Sequence, residues 1–182
     1  MLSTTLSDHI AVFQDALTPA ACAALIAQFE TAPEHHELAS REAGHQFTQL
    51  NVAKAWPDQH EPLCELFLTH FMAYRRAVEA HFWPPEFAFE QIRVKRYLPN
   101  GRDEFPPHVD VMGQTSSRRF MTAMIYLNSV EGGETVFPSL DLRVAPEVGK
   151  LLAFPPLWLF PHQGLPPRAQ PKYILHAYLC YV

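Results

Sequence analysis

His108-Val109-Asp110 sets an imidazole and a carboxylate two residues apart, directly after Pro106-Pro107. In an extended strand, residues i and i+2 point the same way. The spacing therefore predicts that His108 and Asp110 share a face while Val109 turns to the other. The two prolines hold the backbone extended ahead of themselves. Neither donates an N–H, which suits a strand that begins at a barrel mouth or an exposed edge. The pair alone is weak evidence, since about one sequence in three of this His and Asp content would carry one by chance. His162, about fifty residues on, offers a third ligand. Two histidines and one carboxylate on one side of a metal leave three positions open, an arrangement suited to Fe(II).

Several elements must position these residues. "HIAVFQDAL" reads as a short strand and "TPAACAALIAQFETA" as a helix, with Thr18 as N-cap and Pro19 at the first helical position. Leu63, Phe67, Phe71, Tyr74, Val78 and Phe82 form one apolar stripe on a helix over about residues 58–82, ended by Trp83-Pro84-Pro85. From about residue 87 the period becomes strand-like. "FEQIRVKRYL", "FPPHVDV", "RRFMTAMIYLN", "GETVFPS", "DLRVA", "KLLAFPP", a short piece near Pro161-His162, and "KYILHAYLCYV" are the predicted strands. Pro99-Asn100-Gly101, Gly132-Gly133 and Val148-Gly149 supply turns between them. About eight short strands after two helices indicate a small barrel or jelly roll with helices outside.

The totals agree with an ordinary enzyme or binding protein. The chain has 182 residues, 48% hydrophobic and 18% charged, with a net charge of −5. That length suits one domain with a sizeable core, read as an N-terminal strand-and-helix part, 1–87, and a β core, 88–182. An acidic balance argues against a nucleic-acid partner. Cys22, Cys64 and Cys180 lack any CxxC spacing and read as buried thiols. No signal peptide is visible, and the longest apolar run is broken by proline, so neither export nor membrane insertion is expected. The default location is cytoplasmic. Oligomeric state is not written in the sequence.

Four ordered segments carry a resemblance. "RYLPNGRDEFPPHVD", "RRFMTAMIYLNSVEGGETVFP", "APEVGKLLAF" and "PHQGLPPRAQPKYILHAYL" resemble the prolyl 4-hydroxylase-like group of 2-oxoglutarate- and Fe(II)-dependent dioxygenases. The resemblance covers most of the chain and is densest from Phe89 onward. It implies a mainly β (α+β) fold: a double-stranded β-helix, or cupin-like jelly roll, with N-terminal helices packed on one side. It implies Fe(II) held by His108, Asp110 and His162, and 2-oxoglutarate held by Lys172, ten residues after His162. Tyr126, inward with Thr122 and Met124, would help bind the same carboxylate. Tyr97 and Thr135 match further positions near the co-substrate. Ascorbate is a candidate reductant. The implied reaction hydroxylates a C–H bond in a prolyl residue, an amino acid or a related small molecule, with succinate and CO2 as co-products. The family often has Tyr three residues before the first ligand. Here that position is Phe105.

The period of β alternation adds one expectation. Lys172, Ile174, His176, Tyr178 and Cys180 share a face of the last strand. If Lys172 points inward so does His176, toward the metal end, where a hydrogen bond to Asp110 or a metal-bound water would suit it. The alternative function is a non-catalytic cupin-like metal- or small-molecule-binding protein, although the His-x-His plus Glu typical of cupins is not found. His35, His36, His45 and His60 read as solvated, and Gly132-Gly133 as a plain turn. The loop over 99–107, with Arg102, and the segment around Trp158 are the expected entrance.

Overall fold

The computed structural model describes residues 6–40 and 46–182; His45 lies outside them. The chain opens with β1 (Ala11–Phe13) and α1 (Pro19–Glu30). The Thr18 hydroxyl accepts from the Ala21 amide at 3.2 Å, so the expected N-cap is made. Next come β2 (Glu37–Ser40), β3 (Gln46–Asn51), α2 (Val52–Ala55) and α3 (Pro57–Ala77). The hairpin strands β2 and β3 are absent from the sequence reading. α3 starts as expected but stops short. Val78 caps it, Glu79 turns left-handed at φ 50° and Phe82 ends fully exposed. The stripe's last two members thus lie beyond the helix.

The β region comprises β4 (Phe87–Phe89), β5 (Arg93–Tyr97), β6 (Phe105–His108), β7 (Arg119–Tyr126), β8 (Thr135–Phe137), β9 (Leu142–Val144), β10 (Leu151–Phe154), β11 (His162–Gly164) and β12 (Lys172–Tyr181). All pairings are antiparallel. One sheet runs β1-β10-β7-β12-β5-β3-β2, with β4 also against β12; the other runs β6-β11-β8-β9. This is the mainly β, double-stranded β-helix architecture expected.

Side-chain alternation divides the larger sheet into two faces. Tyr173, Leu175, Ala177 and Leu179 of β12 join Ala123 and Ile125 of β7 and Val94 of β5 in a core under the helices. Phe29 of α1 and Phe67 and Phe71 of α3 are fully buried there. Truncating one such Phe to Ala costs about 3–5 kcal/mol. The opposite face packs toward the smaller sheet around Tyr97, Met124, Tyr126, Phe137, Phe154 and Ile174. That second core contains the cavity.

Candidate metal and co-substrate site

His108 closes β6 and lies directly across from His162 on β11. Asp110 lies two residues past the end of β6, in a bend. The strand predicted over "FPPHVDV" is therefore shorter than expected. The Val111 amide donates to the Pro156 carbonyl at 3.2 Å, which draws the chain off the ladder. Asp110 nevertheless faces the histidines. Its Oδ1 is 3.4 Å from His108 Nε2 and its Oδ2 is 3.9 Å from His162 Nε2. One ligand atom from each of the three residues can be chosen so that all lie within 4.8 Å of one another.

Backbone carbonyls settle which nitrogens can take a metal. His108 Nδ1 is 2.8 Å from the Pro106 carbonyl and His162 Nδ1 is 3.1 Å from the Phe160 carbonyl. A carbonyl only accepts, so both Nδ1 atoms carry the proton. Both Nε2 atoms then turn a lone pair toward Asp110, the tautomer a metal ligand needs. Aromatic rings fix the imidazole planes: Phe105 stacks on His108 at 3.7 Å, and Phe154 meets His162 edge-on at 4.8 Å. Phe105, the departure from the family's Tyr, thus acts as a wall and not as a donor. Burial pushes Asp110 up, but the His108 and His162 rings facing it outweigh burial, because in their imidazolium forms a second proton on Nε2 bonds and pairs with the carboxylate, and they hold its carboxyl well below the usual range. Burial pulls His162 down against the pull of Asp110, toward the neutral ring a metal ligand needs. A divalent cation fits this donor set.

The same cavity is lined by Lys95, Tyr97, Met124, Tyr126, Thr135, Lys172, Ile174, His176 and Tyr178. All seven residues assigned from sequence thus line one space. Lys172 opens β12 opposite Tyr97. It is 3% exposed, and its Nζ donates to the carbonyls of Gly133 at 2.9 Å and Leu165 at 3.4 Å. The ammonium lies 4.5 Å from the Tyr97 ring centroid. No carboxylate pairs with it among the described residues, and burial pulls it down to about 7. A buried cation with only carbonyl partners suits the carboxylate of a ligand. Tyr126 donates to Thr135 Oγ1 at 2.6 Å, which poises that hydroxyl pair beside the lysine's end of the cavity.

Gly133 is more than the turn read from sequence. Its φ is 71°, and a Cβ there would stand 2.9 Å from Lys172 Cδ. The residue gives the lysine both room and an acceptor. His176 points inward as expected, but its hydrogen bond goes elsewhere. Its Nε2 meets Thr122 Oγ1 at 2.9 Å, and the Asp110 partner is Tyr178. The stagger along β12 would have identified Tyr178, which shares the Lys172 face. His36 is half-buried, stacked on Phe29 at 4.1 Å with Nε2 bonded to the Phe29 carbonyl, and is not the solvated residue expected. His60 is likewise partly buried, 3.8 Å from Cys64 Sγ.

Residues 92–180, the segment that supplies the whole metal cluster and Lys172, match the model of the 2OG-Fe(II) oxygenase superfamily. Over that segment the chain is a 2OG-Fe(II) oxygenase domain. The oxygenase is thus an Fe(II)- and 2-oxoglutarate-dependent enzyme. Its fold is similar to a viral collagen prolyl hydroxylase from Paramecium Bursaria Chlorella virus-1, solved with 2OG, at 21% identity over 96% of each chain and a TM-score of 0.68. It is similar also to a Pseudomonas putida prolyl-4-hydroxylase, at 17% identity over 95% of this chain and 93% of that one, TM-score 0.69. A Trichoplax adhaerens prolyl hydroxylase, solved with a hypoxia inducible factor peptide fragment, aligns at 13% identity over 96% and 84%, TM-score 0.68. A search of curated proteins finds no match. Among the described residues, no helix is long and apolar enough to cross a membrane.

Proposed function

We propose that the oxygenase hydroxylates an unactivated C–H bond of a prolyl residue, an amino acid or a related small molecule, and converts 2-oxoglutarate and O2 to succinate and CO2. The observation that carries this reading is the cluster of His108, Asp110 and His162 in one cavity with an unpaired, buried Lys172. When bound, the iron supplies the oxidising chemistry. The chain supplies everything that directs it. His108 Nε2, His162 Nε2 and one Asp110 oxygen hold the metal on one side. Lys172 takes the far carboxylate of 2-oxoglutarate, with the Tyr126 and Thr135 hydroxyls beside it and Tyr97 beneath. Phe105, Phe137 and Phe154 keep water from the ligand side. Two of the structural neighbours are named for prolyl substrates in collagen or bound to a factor-derived peptide, which favours a peptidyl substrate. We assign the entrance for such a chain to the exposed Trp158, two residues past the Pro156 carbonyl that holds Val111.

The test is release of CO2 from carboxyl-labelled 2-oxoglutarate by the Fe(II)-loaded protein without any second substrate. Slow, iron-dependent release is expected, and Lys172→Met should raise the 2-oxoglutarate requirement at least about tenfold, as loss of a charge-assisted bond predicts. Absence of iron-dependent release would move the function to the non-catalytic alternative, and release that ignores Lys172 would move the co-substrate anchor elsewhere.

A further inference from the structure

Three basic side chains crowd the metal end of the cavity. Arg93 is 3.3 Å from Glu37 Oε2, and Arg119 grips Glu90 with two bonds of 2.6 Å. Lys95 differs from both. It is 8% exposed and lines the cavity, and its side chain makes neither an ion pair nor a hydrogen bond among the described residues. Its one packing partner of note is the Phe47 ring, 5.2 Å from Nζ. Register places it opposite Ile174, one inward position closer than Tyr97 and Lys172 to the level of His176. Asp110 is the charge that favours its protonation most.

That arrangement is costly as it stands. The ammonium faces the cavity with no protein acceptor, so it gives up part of its hydration, and a ring face returns only about 0.5–2 kcal/mol. Charge bookkeeping sharpens the point. A divalent ion on one carboxylate and two neutral imidazoles leaves a net positive centre, and Lys95 adds to it. Lys172 sits at the far end and takes one carboxylate of the co-substrate. Among the described residues no carboxylate lies within ion-pair distance of Lys95 at the near end, where Glu90 is taken by Arg119.

We infer that Lys95 is a second carboxylate-binding residue, one that receives an organic-acid carboxylate beside the metal. The inference rests on the oxygenase reading above. The carboxylate has two sources: the metal-end carboxylate of 2-oxoglutarate itself, or that of an acidic substrate. Either makes Lys95 a positioning residue for the reacting molecules, with Lys172 and Lys95 dividing the two ends of the cavity between them.

Co(II) in the full-length protein, read by its visible spectrum, tests this without turnover. Three probes suffice: 2-oxoglutarate, 2-oxobutyrate, which lacks the far carboxylate, and acetate added after 2-oxoglutarate. If the co-substrate is the source, Lys95→Met weakens both oxo acids by about tenfold or more, and Lys95→Arg restores part of the loss. Lys172→Met then weakens 2-oxoglutarate alone. If an acidic substrate is the source, Lys95→Met leaves both oxo acids unchanged and abolishes the acetate response. Unchanged binding of all three probes overturns the inference. The unloaded Lys95→Met protein should melt at or above the wild-type temperature, because an unpaired buried cation has been removed; a fall would make Lys95 a packing residue and also overturn it. Failure of the underlying reading looks different, since Lys172→Met would then leave 2-oxoglutarate binding untouched as well.

Discussion

The two sheets hold their functional side chains by different means. The larger sheet carries Lys95, Tyr97, Tyr126, Lys172 and Tyr178 on long, regular ladders, where one inward residue in two is fixed by register. The smaller sheet carries both histidines on strands of three and four residues, with an irregularity between His162 and Gly164. Its ladder is too short to orient a ring. The Nδ1 bonds to Pro106 and Phe160 and the flanking aromatic rings do so instead. Cations and hydroxyls are thus set by backbone periodicity, and metal ligands by local side-chain-to-backbone bonds. Changes in one sheet should therefore spare the other's ligand.

The largest separation is expected from His162→Ala. Iron affinity, followed by titration of the unloaded protein, should fall well beyond the 10- to 100-fold that supporting residues contribute. The melting temperature should change little, because the residue lies on a three-residue strand. Binding of iron at wild-type strength would remove His162 from the ligand set.

A pH series probes the larger sheet. Lys172 is held near 7 in the fold and titrates near 10.5 when unfolded, so the unfolded chain binds more protons between those values. The metal-free protein should gain stability as pH rises from about 7 toward 10, by at most about 1.4 kcal/mol per pH unit for this group. Lys95, held near 8, adds in the same sense. Above about 10 the trend should reverse, since burial raises Tyr97 and Tyr126 in the fold and their unfolded forms ionise first. Denaturant melts at three pH values check the slope, which Lys172→Met should flatten. The smallest effect belongs to Tyr178→Phe. It removes one bond to Asp110 across the two regions and should weaken iron binding by about tenfold, measured by the same titration.

Much of this was legible in the sequence because it rests on spacing. The ten-position spacing from His162 to Lys172, and the alternation from Lys172 to Tyr178, survive folding because β11 and β12 bracket them. The turn residues also marked most strand boundaries. What failed was set by contacts far away in sequence. Asp110 leaves its strand because Val111 bonds Pro156. The hairpin β2–β3 carries no strong apolar alternation, as "ELAS" and "QFTQLN" show; it is held by β5, whose Arg96, Lys95 and Val94 face Thr48, Gln49 and Leu50. The acceptor role of Gly133 depends on Lys172 arriving from 39 residues away. Lys95 could have been noticed two residues before Tyr97 on one strand. What makes it unusual is the acid it lacks, and no motif encodes that.

The cavity also behaves as a measuring rod. Lys172 is pinned at one end by the Gly133 and Leu165 carbonyls, and the metal cluster at the other by the bonds of His108 and His162 to Pro106 and Phe160, so neither end is free to shift. A molecule held by the lysine at one end and the metal at the other must have a set number of carbons. The five-carbon 2-oxoglutarate should therefore outcompete both oxaloacetate, one methylene shorter, and 2-oxoadipate, one longer. Competition among the three for the Co(II)-loaded protein reads that length directly, and equal affinities would mean that the rod sets no limit.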